Sequence, residues 1–166
     1  AQPSPGPIGA LARAGTHQFH GYALACLVAA DRYHHLDAVI RPALAAGTTI
    51  VCDRYTASSL VFQTIDGVEQ TFITHLNRHA DRPDLAIFLT CRGVELRRRL
   101  KARGSHGRFE DDPDITTKEI ARYHDVSALY AAQGVRILEL DSTITGPELL
   151  ASHVVSIVLP LTSASS

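Results

Sequence analysis

The chain has 166 residues, 45% of them hydrophobic and 20% charged, which is enough for one domain around a single core. Its formal net charge of −1 provides no broad basic surface, so general binding of nucleic acid or of a membrane face is excluded and small, local ligands are expected. No stretch reaches the roughly 18 apolar residues of a membrane span, and the opening AQPSPGPIGALARAG lacks the basic head and apolar middle of a signal peptide, so a cytoplasmic protein is expected.

After a Pro/Gly-rich opening at residues 3–9, the apolar-rich segment from about His20 to Ala46 predicts a long helix, bent near Pro42 and stopped by Gly47. The β-branched run TTIVC (48–52) shows no polar alternation, the pattern of a strand buried on both faces of a parallel sheet. A short helix is expected after Ser58 and a second over about 68–80, VEQTFITHLNRHA. RPDLAIFLT then supplies a strand introduced by Pro83, and GVELRRRLKARG a helix closed by Gly104. The polar loop SHGRFEDDPD leads to TTKE at Thr116–Glu119, a capping-box pattern for a helix running to about Gln133. VRILELD is the third predicted strand, and GPELLASHVVSIV the last helix, with Pro147 in its first turn. The domain is expected over residues 1–160, with a frayed tail at 161–166. Cys26, Cys52 and Cys91 are odd in number, far apart and set in apolar sequence, which predicts reduced core thiols rather than a disulfide or zinc site.

Strands spaced by helices predict an α/β fold, a parallel sheet with helices on both faces. Ligands of such sheets bind beyond the carboxyl ends of the strands, which is where Asp53, Arg54 and Asp141 fall. The plainer alternative for Asp53 and Arg54 is a surface ion pair, contributing about 0–1 kcal/mol. Arg97, Arg98, Arg99 and Lys101 go round a predicted helix and read as a solvated face. His34 and His35 read as helix surface, with no carboxylate or cysteine at metal-ligand spacing.

The fragments ADR (30–32), RPAL (41–44), DRYTASSLVFQ (53–63), RPDL (82–85) and RGSHGRFE (103–110), in this order and spacing, resemble the thymidylate kinase family, from about Pro3 to Val158. The resemblance implies the fold of the P-loop nucleotide kinases, ATP as co-substrate, Mg²⁺, small-molecule nucleotide ligands and a homodimer. It also implies residue roles. Arg54 would hold the acceptor's phosphate in a two-point contact that suits a guanidinium, and Asp53 would sit on the metal side of the transfer centre. Arg32 would reach the acceptor base, with Ser59, Phe62 and Gln63 lining the nucleoside pocket. Arg103 and Arg108 match lid arginines that close over ATP, Arg108 being catalytic together with Asp53.

The chain departs from the family pattern in three places. It contains no G-x-x-x-x-G-K-[ST] loop, and its two lysines, Lys101 and Lys118, lie far down the sequence. Ala1 and Gln2 stand where the family has arginine and glutamate, and Val28 stands where an aromatic residue stacks on thymine. In the family the phosphate-loop strand lies between the strands matching TTIVC and LAIFL. Its absence would leave buried backbone unpaired, so a fragment of a longer protein is expected, with completion by another polypeptide or a re-paired sheet as alternatives. Three functions remain open: the acceptor and lid portion of a kinase for a deoxynucleoside monophosphate such as dTMP, a non-catalytic nucleotide- or partner-binding relative, and a kinase of this fold for another nucleotide.

Overall fold

The computed structural model describes residues 1–104, 109 and 113–163. Helix α1 (Pro7–Ala14) starts on a proline, whose missing N–H needs no partner there, and runs into a 3₁₀ turn at Gly15–His17. Ahead of it, the Asp31 carboxylate accepts hydrogen bonds from Ser4 N and Ser4 Oγ, both at 2.6 Å, and Arg13 Nη1 donates to Pro3 O and Ser4 O. These bonds tie the opening segment to α2 (Gly21–His35). Gly9 is what permits the close packing, because a Cβ there would run into the backbone of Ser4 and the carboxylate of Asp31.

The long helix expected from His20 to Ala46 is interrupted by a π-turn at Leu36–Ile40 before a short α3 (Arg41–Ala45). Pro42 has no N–H to offer the carbonyl four residues back, and the chain widens by one residue so that Arg41 N bonds Leu36 O instead. Helices α4 (Thr56–Ile65) and α5 (Gln70–Leu76) lie where the sequence places them, the latter shorter than predicted. Strand β1 (Leu85–Thr90), helix α6 (Gly93–Arg103), helix α7 (Pro113–Ala132), strand β2 (Arg136–Asp141) and helix α8 (Pro147–Ser163) complete the described chain. Thr116–Glu119 lies inside α7 rather than capping it, since the helix already begins at Pro113. Helix α8 runs past Pro160 to Ser163, within the stretch expected to fray, and residues 164–166 fall outside the described ones.

β1 and β2 pair in parallel, from Leu85 opposite Arg136 to Thr90 opposite Asp141. Ser142 extends the pairing beyond the strand ends, its N and Oγ both donating to Thr90 O at 2.8 Å. The fold is therefore α/β with a parallel sheet, as expected. The predicted strand TTIVC is the correction: residues 48–52 form no strand, and Val51 is 81% exposed. An extended run becomes a strand only when a neighbour takes its N–H and C=O groups. In this stretch the backbone bonds are Thr48 N to Ala43 O, which closes α3, and Gln2 N to Asp53 O at 2.8 Å.

Phe88 points into a core with Leu60, Val61, Ile73, Val126, Tyr130 and Val135, so α4, α5 and α7 cover one face of the sheet. One residue along the strand, Leu89 points the other way and is 62% exposed. The cysteines are free thiols, but none is core: Cys26 is exposed, and Cys52 and Cys91 are half-buried.

Candidate functional site

The end of the TTIVC segment presents Arg54 in an unusual backbone state. Its φ is +65°, and no other non-glycine residue among those described has a positive φ. That left-handed conformation costs an L-residue roughly 1–2 kcal/mol, and such strain gathers at functional positions. The exposed guanidinium lies over the ring of Phe62, Cζ 5.0 Å from the centroid, and Nη1 donates to Tyr123 Oη at 3.1 Å. Phe62 belongs to a small aromatic group, its centroid 5.2 Å from Phe109 and 6.2 Å from Tyr123. Among the described residues no carboxylate pairs with Arg54, and Asp53 and Arg54 do not pair with each other. Asp53 is exposed, with its carbonyl bonded to Gln2.

Arg32 is in the opposite situation, with 1% of its surface exposed. Its Nε donates to Gln2 Oε1 (2.8 Å), Nη2 donates to Ser59 Oγ (2.8 Å) and Tyr55 O (3.3 Å), and Nη1 donates to Asn77 Oδ1. Every one of these partners is neutral. Burial lowers the guanidinium's pKa, while the ring of Tyr55 lies 5.5 Å from its Cζ. Ser59 and Gln63 are buried on α4; Gln63 Oε1 and Gln2 Nε2 are buried with no hydrogen-bond partner among the described residues. Tyr55, whose hydroxyl donates to Asp81 O at 2.9 Å, has its pKa pushed up to about 12, chiefly by burial. A nearby cavity of about 190 Å³ is lined by residues such as Thr56, Asn77 and Tyr130, and by none of the candidate site residues.

The structure thus gathers Arg54 and Phe62 at one place, and Arg32 and Ser59 at another along the same helix α4. Sequence reasoning missed Asn77, Tyr55 and Tyr123. Tyr123 is 69 residues from Arg54 and sits in IARYHD, which carries no pattern beyond an ordinary helix. On α6, Glu95 is held down to about pKa 2 by hydrogen bonds from Arg98 and then Arg99, which identifies those arginines as a solvated, paired face. Arg99 Nη2 also donates to Ser142 O at 2.7 Å, fastening α6 to the end of β2. Asp141 accepts a bond from Thr143 N at 2.7 Å, and hydrogen bonding from Thr143 lowers its pKa. Arg103 is exposed at the end of α6, and Arg108 lies outside the described residues.

The sequence model of the family described as thymidylate kinase matches residues 2–143. The chain belongs to the thymidylate kinase family. The matched range contains every candidate site residue. Among curated relatives, the chain is similar to a "Probable thymidylate kinase" of Pyrococcus horikoshii, 35% identical over 81% of this chain and 63% of the relative. Proteins of the same description from Pyrobaculum calidifontis (39% identical, 66% of this chain, 58% of the relative) and Methanococcus aeolicus (33%, 75% and 63%) also match. The chain spans about three-fifths of the length of these thymidylate kinase relatives. Among the described residues, no helix is long and apolar enough to cross a membrane.

Proposed function

We propose that this chain carries the acceptor-binding and lid portion of a nucleotide kinase that transfers the γ-phosphate of ATP to a deoxynucleoside monophosphate, most simply dTMP. The observation that carries this reading is Arg54. Its guanidinium lies over Phe62, is attached to a strained backbone and is unmatched by any described carboxylate, so its charge is available to an anion. A forked guanidinium meets two phosphate oxygens at once, which gives both charge and orientation. Phe62 backs the guanidinium, and Ser59, Gln63 and Arg32 are read as the polar side of the nucleoside pocket. Arg103 and Arg108 are read as the lid arginines, and residues 1–160 as the domain that carries them.

Asp53 fits a magnesium role by its chemistry, because that ion takes one or two carboxylates plus phosphate oxygens and water, and the Asp53 side chain is exposed beside Arg54. When bound, magnesium neutralises charge on the transferring phosphates. The proposed working unit is a cytoplasmic homodimer.

A coupled assay of ATP turnover with dTMP and other deoxynucleoside monophosphates tests the reading, with turnover expected on at least one acceptor. No phosphate transfer by the full-length protein would sink the kinase reading in favour of a non-catalytic binder. Arg54→Ala should weaken dTMP binding by about 10-fold or more in calorimetry, with thymidine binding little changed; equal loss for both ligands would refute the phosphate role. Val28, half-buried on α2 where the family has an aromatic residue, favours a second reading in which another base is preferred, and turnover ranked across the acceptors decides between the two.

A further inference from the structure

Tyr123 reaches the site from α7, and its hydroxyl joins Arg54, just ahead of α4, to Ser58 in the first turn of α4. Arg54 Nη1 lies 3.1 Å from Tyr123 Oη, and Ser58 Oγ lies 3.1 Å from the same oxygen. A guanidinium can only donate, so the phenol oxygen accepts from Arg54, while either hydroxyl of the Tyr123–Ser58 pair can be the donor. The ring is fixed as well, packed edge-on to Phe62 and to Phe88, each at 6.2 Å between centroids. Burial, the largest influence, raises the Tyr123 pKa, so the hydroxyl stays protonated at neutral pH and keeps both functions.

We infer that Tyr123 is a positioning residue that, with Phe62, holds the Arg54 guanidinium in the orientation needed to take an acceptor phosphate. An exposed arginine on a flexible stem would otherwise sample many rotamers and lose that freedom on binding. Here one N–H is fixed by Tyr123 and the guanidinium is backed by the Phe62 ring, leaving the remaining donors of the fork for the anion. Ser58, bonded to the same oxygen, holds the Tyr123 hydroxyl in place beside Arg54. This inference rests on the acceptor-site reading above, and the ligand chemistry is a phosphate monoester.

Calorimetry of the full chain with dTMP and with thymidine tests it, the affinity ratio reporting the phosphate contact alone. Tyr123→Phe removes one oxygen and should lower dTMP affinity about 3- to 10-fold, the size of one ordinary hydrogen bond lost in positioning the guanidinium, with thymidine affinity unchanged. Ser58→Ala should give a smaller loss of the same kind. In an Arg54→Ala background, Tyr123→Phe should change the ratio no further, which a purely packing role would not produce. If Tyr123→Phe does not fold, the Ser58→Ala series alone decides, and an unchanged ratio there overturns the inference. A wild-type chain that prefers dTMP, combined with a Tyr123→Phe variant that keeps the full ratio, overturns the role of Tyr123 and leaves the acceptor reading standing. A wild-type chain with no preference for dTMP over thymidine, or binding neither, overturns the acceptor reading and this inference together.

Discussion

Arg32 and Arg54 are the same side chain in opposite environments, and their chemistry differs accordingly. Arg32 is enclosed by four neutral acceptors, from Gln2, Tyr55, Ser59 and Asn77, and it ties the opening segment, α2, α4 and the end of α5 together. Arg32→Ala leaves a cavity and strands the buried oxygens of Gln2 and Ser59, so a loss of about 3 kcal/mol in urea unfolding is expected. A loss under about 1 kcal/mol would show that water replaces the guanidinium at little cost. Arg54 has no such enclosure, and among the described residues its guanidinium is held by Phe62 and Tyr123. The sequence marks both arginines through their motifs, ADR and DRY. It does not mark which one is buried, because burial depends on segments as distant as Gln2 and Asn77 closing over Arg32. The plainer alternative, an ion pair of Asp53 with Arg54, is not formed.

Helix ends carry the clearest local instructions in this chain. At the end of α7, Gly134 adopts φ +79°, its N–H bonds Ala131 O at 2.9 Å, and Val135 N bonds Tyr130 O at 3.1 Å. This paired closure sends the chain directly into β2 and lets buried Val135 pack on the core beside Tyr130. Gly134→Ala should therefore cost roughly 1–2 kcal/mol by thermal or urea unfolding, because a Cβ disfavours the left-handed state. A neutral effect would mean that the turn can rearrange. Elements with their own signals were legible in this way: α6 ends before Gly104, α8 opens on Pro147, and Pro42 disturbs the helix it was expected to bend. TTIVC was misread because its signal, a β-branched run without polar alternation, favours extended backbone but names no partner. A strand needs a partner, and the described chain offers that segment one hydrogen bond from Gln2, to Asp53 just beyond it. TTKE was misread because a proline three residues upstream already starts α7.

Across the molecule, Tyr55, Tyr123 and Tyr130 all have pKa values raised, primarily by burial. A folded-state pKa above the unfolded value of about 10 stabilises the fold below that pH, and the stabilisation is lost as pH rises toward the folded value, about 12 for Tyr55. Stability should decline above pH 10. The tyrosinate absorbance of these three residues should appear together with loss of helical circular dichroism, and full tyrosinate formation at pH 11 with the fold intact would refute it. Two of these tyrosines also mark where the helices meet: Tyr123 bonds Ser58 at 3.1 Å, Tyr130 bonds Thr56, and both join α7 to α4. Chain-local features, the helix that stops at Gly104, the helix that opens on Pro147, the strands of LAIFL and RILEL and the family motifs from ADR to RFE, were fixed by the amino-acid sequence, because each depends on residues a few positions apart. Which arginine is buried, which face of β1 is covered, and that a tyrosine on α7 holds Arg54 were settled by packing, because each depends on contacts between segments dozens of residues apart that no local pattern encodes.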